Sequence, residues 1–245
     1  MLKILSYPIS AIYYLCFLLT LVVFHPIQWF CFNVFGYQAH KKSVDALQFC
    51  LMRCANILGT RFSFKNPYNI EANQPLIVVA NHQSLHDIYP LTWFMRKYHP
   101  KFISKIELGK GIPSVSYNLR HGGAALIDRK NPRQSLPALM KFGEYIAKNK
   151  RAAVIFPEGT RSKTGKPKPF QTKGLEILFK KIPDAQVVPI TINNSWKILK
   201  YGNFPLSLGT HVTFTVHKPL KVSTFVDKQE LIKTIESTIT SAVHI

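Results

Sequence analysis

Leu76-Ile77-Val78-Val79-Ala80-Asn81-His82-Gln83-Ser84-Leu85-His86-Asp87 is the stretch that decides how the rest of this 245-residue chain is read. Its first five residues are apolar and rich in β-branched side chains, the signature of a short strand buried on both faces. A polar turn follows at once, and then a helical pattern begins. The same alternation recurs outward from it. Short apolar runs at 101–104, 124–127, 152–156, 187–192 and 211–216 are separated by helical patterns near 84–97, 132–149, 171–182 and 227–243. Such alternation predicts an α/β fold, with a mixed, largely parallel central sheet flanked by helices. Sheets of this kind gather ligands beyond the carboxyl ends of their strands. The residues just past each strand are therefore the ones to read for chemistry.

After the first strand stand His82 and Asp87, five residues apart. If the turn folds back, the carboxylate meets the imidazole, holds one tautomer and stabilises its protonated form. An imidazole so held is a general base for a hydroxyl proton. A simpler reading is that Ser84 caps a helix and its polar neighbours are incidental. His82 and His86 are also four apart, as zinc-binding histidines on a helix can be, with Asp87 as a third ligand. A helix starting near Ser84 leaves His82 off it, so no metal is expected. The later strand ends present Lys105, Arg129 and Arg161. Each alone is an ordinary surface cation; together, at the ligand edge of a sheet, they suggest an anion site, since Arg grips phosphate through two donors. Gly159 lets a ligand approach the backbone closely. No dinucleotide-binding G-x-G-x-x-G turn, phosphate-binding P-loop or G-x-S-x-G nucleophile elbow occurs.

The chain carries 32 Lys and Arg against 12 Asp and Glu, a formal charge of +20, yet 47% of its residues are hydrophobic. That excludes a disordered basic tail and predicts an anionic partner. The charge is unevenly placed. Residues 1–40 contain one charged side chain, Lys3, and 4–24 contain none. This apolar stretch is close to the ~20 residues that span a bilayer. Three readings compete for it: a cleaved leader, a spanning helix, and a helix lying in one leaflet. The last is favoured because 43–58 also suits a membrane surface. There Val44, Leu47, Leu51, Cys54 and Leu58 share one helical face, with Ser43 to cap and Gly59 to end the helix. Facing a protein core is the alternative for that stripe. Pro26 is expected to stop or kink the first helix. These features divide the chain into a membrane-associating helical motif, 1–60, and an α/β domain, 61–245. The four cysteines all lie in the first part and read as small apolar residues in a reducing compartment. An apolar start and the lack of any nucleic-acid motif turn the expected partner from nucleic acid to an anionic membrane surface.

Four blocks, in order, resemble the glycerolipid acyltransferases over about residues 60–220. Asn81-His82 through Asp87 resembles their H-x4-D block, and Ala125-Leu126-Ile127-Asp128-Arg129 their second. Phe156-Pro157-Glu158-Gly159-Thr160-Arg161-Ser162 matches the third, and Val188-Pro189-Ile190 the fourth. The subgroup most resembled is the bacterial 1-acylglycerol-3-phosphate acyltransferases. The resemblance implies transfer of a fatty acyl group from acyl-CoA or acyl-acyl carrier protein to the sn-2 hydroxyl of 1-acylglycerol-3-phosphate, a membrane lipid, giving phosphatidic acid without any cofactor. It makes His82 the base and Asp87 its orienting partner. It assigns the phosphate to Lys105, Arg129 and Arg161, and the shaping of the acceptor site to Glu158, Gly159 and Thr160, with Glu158 free to ion-pair a basic neighbour. Glycerol-3-phosphate or another lysolipid is the alternative acceptor; a non-enzymatic basic membrane-binding protein is the alternative of another class. The implied location is the cytoplasmic face of the inner membrane. The acid-free stretch 161–168 reads as a loop, either solvated or touching headgroups or donor.

Overall fold

The computed structural model describes residues 2–245. In chain order its elements are α1 (Leu2–Ile57), β1 (Arg61–Lys65), β2 (Leu76–Ala80), α2 (Ile88–Phe94), β3 (Pro100–Lys105), α3 (Val115–His121), β4 (Ala125–Ile127), α4 (Pro132–Asn149), β5 (Ala152–Ile155), α5 (Lys173–Lys181), β6 (Gln186–Asn193), β7 (His211–Val216), β8 (Leu220–Lys221) and α6 (Lys228–Ser241). The strands form one sheet in the order β1-β7-β6-β2-β5-β3-β4, with β8 on β6. From β4 to β6 all neighbours are parallel. β7 and β8 run antiparallel to β6, and β1 is parallel to β7. The carboxyl ends of β2, β3, β4, β5 and β6 therefore open on one edge.

The sheet is covered on both faces, which is why its central strands are apolar throughout. Alternate β2 residues face opposite layers. Leu76, Val78 and Ala80 join a core with Tyr13, Leu21, Leu47, Leu51 and Leu58 of the N-terminal segment. Ile77 and Val79 join a second core with Phe142 and Ile146 of α4, Leu175 and Phe179 of α5, and Leu231 and Ile235 of α6.

The N-terminal segment departs from its sequence reading. The helix runs through Pro26 and breaks at Gly36, whose φ of 74° and ψ of −163° lie outside helical space. Only glycine adopts such a pair without steric cost. The stretch 43–58 belongs to a second helix that follows the break at Gly36 and so begins earlier than expected: Ser43 lies inside it, and its hydroxyl donates to the His40 carbonyl at 2.7 Å instead of capping. The Val44-Leu47-Leu51-Cys54-Leu58 stripe is buried, facing the protein. Before Gly36, Ser6, Ser10, Tyr13, Leu21 and Gln28 are buried, while Leu5, Ile12, Leu15, Leu19 and Val22 on other faces are exposed. Ser10 Oγ accepts the Leu206 amide at 2.8 Å, and the Ser114 hydroxyl donates to the Leu21 carbonyl at 2.5 Å, tying the arm to the body. From residue 6 to 28 a helix rises roughly 33 Å, so one side of the arm is fastened over that whole length.

Three further differences have simple causes. The pattern near 84–97 is broken into two 3-10 turns around a short α2. β1 carries charges at both ends and is half-buried at the sheet edge, so it lacks an apolar run. β8, at Leu220–Lys221, is too short to show any periodicity.

Candidate active site

β2 ends at Ala80 and the chain folds back at once. The Asn81 side chain bridges to β6, donating to the Ile192 carbonyl at 2.8 Å and accepting its amide at 2.7 Å. This holds the turn against the neighbouring strand after regular pairing stops. His82 comes next, and its Nδ1 donates to Asp87 Oδ2 at 2.8 Å. The same oxygen accepts the Gln83 amide at 2.7 Å and the Ser84 amide at 3.0 Å. Oδ1 accepts the Ser195 hydroxyl, and the Ser195 amide donates to Gln83 Oε1 at 3.0 Å. Asp87 is wholly buried, so these donors replace the water it has lost. Ser84 does cap the following turn, its Oγ accepting the His86 amide at 3.1 Å. The cap and the dyad are thus one structure: Asp87 closes a capping box and orients His82 with the same carboxylate.

The loop after β5 clamps His82 from the other side. The Phe156 ring stacks on the imidazole, with centroids 4.2 Å apart and planes at 17°. Glu158 Oε1 accepts the His82 amide at 2.8 Å, and Oε2 accepts the Lys168 amide at 3.0 Å. The Ser162 amide donates to the His82 carbonyl at 2.7 Å. Burial pushes the Glu158 carboxyl up, and the two amides pull against that shift. The expected ion pair is corrected here: among the described residues Glu158 holds backbone amides and no basic side chain. It also lies beneath the site and does not line it. The backbone of the turn needs an acceptor at this point, and Glu158 supplies it.

His82 opens on a cavity of about 590 Å³. Lys105, Arg129, Gly159, Thr160 and Arg161 line its mouth, brought together from the ends of β3, β4 and β5. Burial lowers the Arg129 guanidinium from its ordinary value, with Glu107 acting in the opposite sense. Gly159 has a φ of 70°, and a Cβ there would stand 2.8 Å from Gln171 Nε2. Beyond the mouth the wall is mostly apolar, with Phe17, Leu21, Val44, Leu51, Ile88 and Val115. His86 is not part of this space. It is sealed, its Nδ1 paired with the Tyr89 hydroxyl at 2.7 Å, and burial pushes it down to about 4. His82 and His86 thus engage different partners, and among the described residues no group of three His, Cys, Asp or Glu is arranged to hold a metal ion. All four cysteines are free.

Sequence reading missed Asn81, Phe156 and Ser195 as parts of the site. Ser195 stands three residues past the 187–192 run, so a search just beyond the carboxyl end of that strand finds it.

One edge of a mostly parallel α/β sheet thus supplies a carboxylate-held imidazole, a group of cations and an apolar wall. The family model described as Acyltransferase matches residues 61–193, more than half of the chain, and the chain belongs to that family. It is 34% identical over 149 residues to the chloroplastic 1-acyl-sn-glycerol-3-phosphate acyltransferase BAT2 of Brassica napus, a match covering 61% of this chain and 42% of that protein. It is 39% identical over 126 residues to the 1-acyl-sn-glycerol-3-phosphate acyltransferase of Helicobacter pylori, covering 50% of each. The matches thus span half or less of these relatives' length. The crystal structure of the 1-acyl-sn-glycerophosphate acyltransferase PlsC of Thermotoga maritima superposes with a TM-score of 0.78 at 25% identity, covering 98% of this chain and 95% of that one.

Proposed function

We propose that this protein transfers a fatty acyl group from acyl-CoA or acyl-acyl carrier protein to the sn-2 hydroxyl of 1-acylglycerol-3-phosphate. The observation that carries the reading is the His82–Asp87 pair at the mouth of a cavity that is cationic at one end and apolar beyond. With Nδ1 donating to a carboxylate, the imidazole keeps its lone pair on Nε2. Nε2 takes the proton of the acceptor hydroxyl as its oxygen attacks the thioester carbonyl. The C–S bond then breaks, and the imidazolium returns the proton to the departing thiolate. Asp87 stays ionised throughout and stabilises the imidazolium. Lys105, Arg129 and Arg161 hold the acceptor phosphate, and Gly159 and Thr160 shape the space beside it. Glu158 acts indirectly by fixing the His82 backbone. The apolar recess takes an acyl chain. No cofactor is needed for these steps.

The exposed apolar side of the N-terminal arm supports membrane attachment, since an apolar patch of that extent is stable only when covered. The opposite side is fastened along the body, which favours an arm lying in the interface over one crossing the bilayer. The excess of positive charge favours an anionic leaflet and supports a location at the cytoplasmic face of the inner membrane. The test is a panel of lysolipid acceptors and both donor types with the wild type and His82→Ala. Turnover of 1-acylglycerol-3-phosphate by the wild type alone supports the reading; robust turnover of another acceptor in its place overturns the substrate, and equal turnover by His82→Ala overturns the mechanism.

A further inference from the structure

Residues 200–204 form a loop between the 3-10 turn Ser195–Leu199 and β7, and every residue in it is exposed. The loop ends against the N-terminal arm. The Tyr14 hydroxyl donates to the Asn203 carbonyl, and the Leu206 amide just beyond donates to Ser10 Oγ at 2.8 Å. Phe204 meets Tyr7 edge-on, with ring centroids 5.5 Å apart and planes at 76°, and its centroid lies 6.4 Å from that of Tyr14. These contacts do not cover the rings: Phe204 is 50% exposed, Tyr7 45% and Tyr201 36%. On the arm, Tyr7 and Tyr14 are flanked at helical spacing by Ile4 and Leu18, both more than half exposed. The aromatic patch is therefore continuous with the apolar side of the arm.

Cations stand over this patch. Lys3 Nζ lies 5.4 Å and Lys200 Nζ 5.9 Å from the Tyr201 ring centroid. Among the described residues neither ammonium is in an ion pair. The two segments that build the patch supply no carboxylate of their own, for 1–44 and 185–226 contain no Asp or Glu. Exposed rings with polar rims, ammonium groups beside them and no acid match the headgroup layer of an anionic leaflet. There the ring bodies leave water while the ammonium groups meet phosphate.

We propose that the loop 200–204 is a second membrane contact, entering the headgroup layer of an anionic leaflet beside the arm, with Tyr201 and Phe204 as its anchors and Lys3 and Lys200 on lipid phosphate. The inference rests on reading the arm as lying in the membrane interface. A helix in that plane has a fixed depth but is free to roll about its axis, and a contact displaced from the axis stops the roll. The turn that leads into the loop begins at Ser195, whose hydroxyl donates to Asp87. The loop thereby sets the height of the His82 mouth over the leaflet.

The test uses the full chain with vesicles of phosphatidylcholine alone, or of phosphatidylcholine and phosphatidylglycerol in equal parts. Phe204→Trp reports depth. With lipids brominated near the top of their acyl chains, the emission this substitution adds over the wild type is expected to fall about twofold, and aqueous acrylamide is expected to leave it unchanged. Emission open to acrylamide and untouched by bromine overturns the proposal. The second readout is turnover by Tyr201→Ser and Phe204→Ser. With 1-acylglycerol-3-phosphate held in the mixed vesicles it is expected to fall about tenfold, the worth of burying one aromatic ring. A short-chain acceptor in free solution is expected to be turned over as by the wild type. Lys3→Gln and Lys200→Gln are each expected to lower the rate about fivefold in the mixed vesicles and to leave it unchanged in phosphatidylcholine alone. An equal loss with the dissolved acceptor overturns the proposal. A chain that stays off both vesicles overturns the membrane reading and this one with it. A bound chain whose residue 204 remains in water removes the loop and leaves the attachment of the arm standing.

Discussion

Two parts of the cavity wall are built on opposite rules. At the mouth, each oxygen of the Asp87 carboxylate is engaged, and His82 is held by a carboxylate, a stacked ring and hydrogen bonds at both its amide and its carbonyl. Elsewhere on the wall, Lys101 is 8% exposed, and among the described residues its amine makes no hydrogen bond or ion pair. The closed valences at the mouth suit the base proposed for His82, which would have to hold one geometry through many turnovers.

The most direct way to break this comparison is at the mouth. His82→Ala should lower kcat by about 10²–10⁴-fold, the worth of a positioned base, with an unchanged melting temperature. A loss under tenfold would show that the closed geometry does not serve proton transfer. Arg161→Ala should raise KM for the acceptor by about 10–100-fold, since a charge-assisted hydrogen bond is at stake, while kcat changes less. A change in kcat alone would remove Arg161 from acceptor binding.

Ser195→Ala leaves Asp87 Oδ1 with one donor fewer in a site without water, and should lower kcat about tenfold with little change in KM. Its effect should appear in the pH dependence of kcat/KM, because the carboxylate acts through the imidazole; Ser195→Thr should restore most of it. Gly159→Ala should cost about 1–2 kcal/mol of stability, read from denaturant unfolding, because an L side chain is strained at a φ of 70°.

The smallest effect expected is a pH dependence of stability. His86 is lowered from its ordinary 6.5 to about 4 by burial, so the unfolded chain binds a proton in that interval and the folded chain does not. The stability this group contributes is complete above pH 6.5 and declines as pH falls toward 4. Thermal melts should drop across that window, and His86→Gln should flatten the slope. A slope unaltered by the substitution would assign the acid sensitivity elsewhere.

Much of the molecule is legible along the chain. The 132–149 pattern coincides with α4, where Asn131 caps the start and Pro132 takes the first turn, which has no intrahelical use for its missing donor. The 211–216 run coincides with β7. Five-residue spacing pairs His82 with Asp87, and the cations at the strand ends line one cavity with His82. The misses share a cause. Gly36 breaks α1, and Pro26 does not, because packing against the body holds the helix through the proline. Ser195 reaches Asp87 across 108 residues of sequence, which no local pattern encodes.

The sequence by itself determined the alternation of strands and helices, the apolar start and the residues at the strand ends, since these arise from periodicity and local turn chemistry. Only the tertiary structure decided that Glu158 serves the backbone, that His86 is sealed while His82 is open, and that Lys101 is buried over the Tyr37 ring. These depend on which groups are left unpaired once distant segments have packed, and burial is a property of the assembled chain.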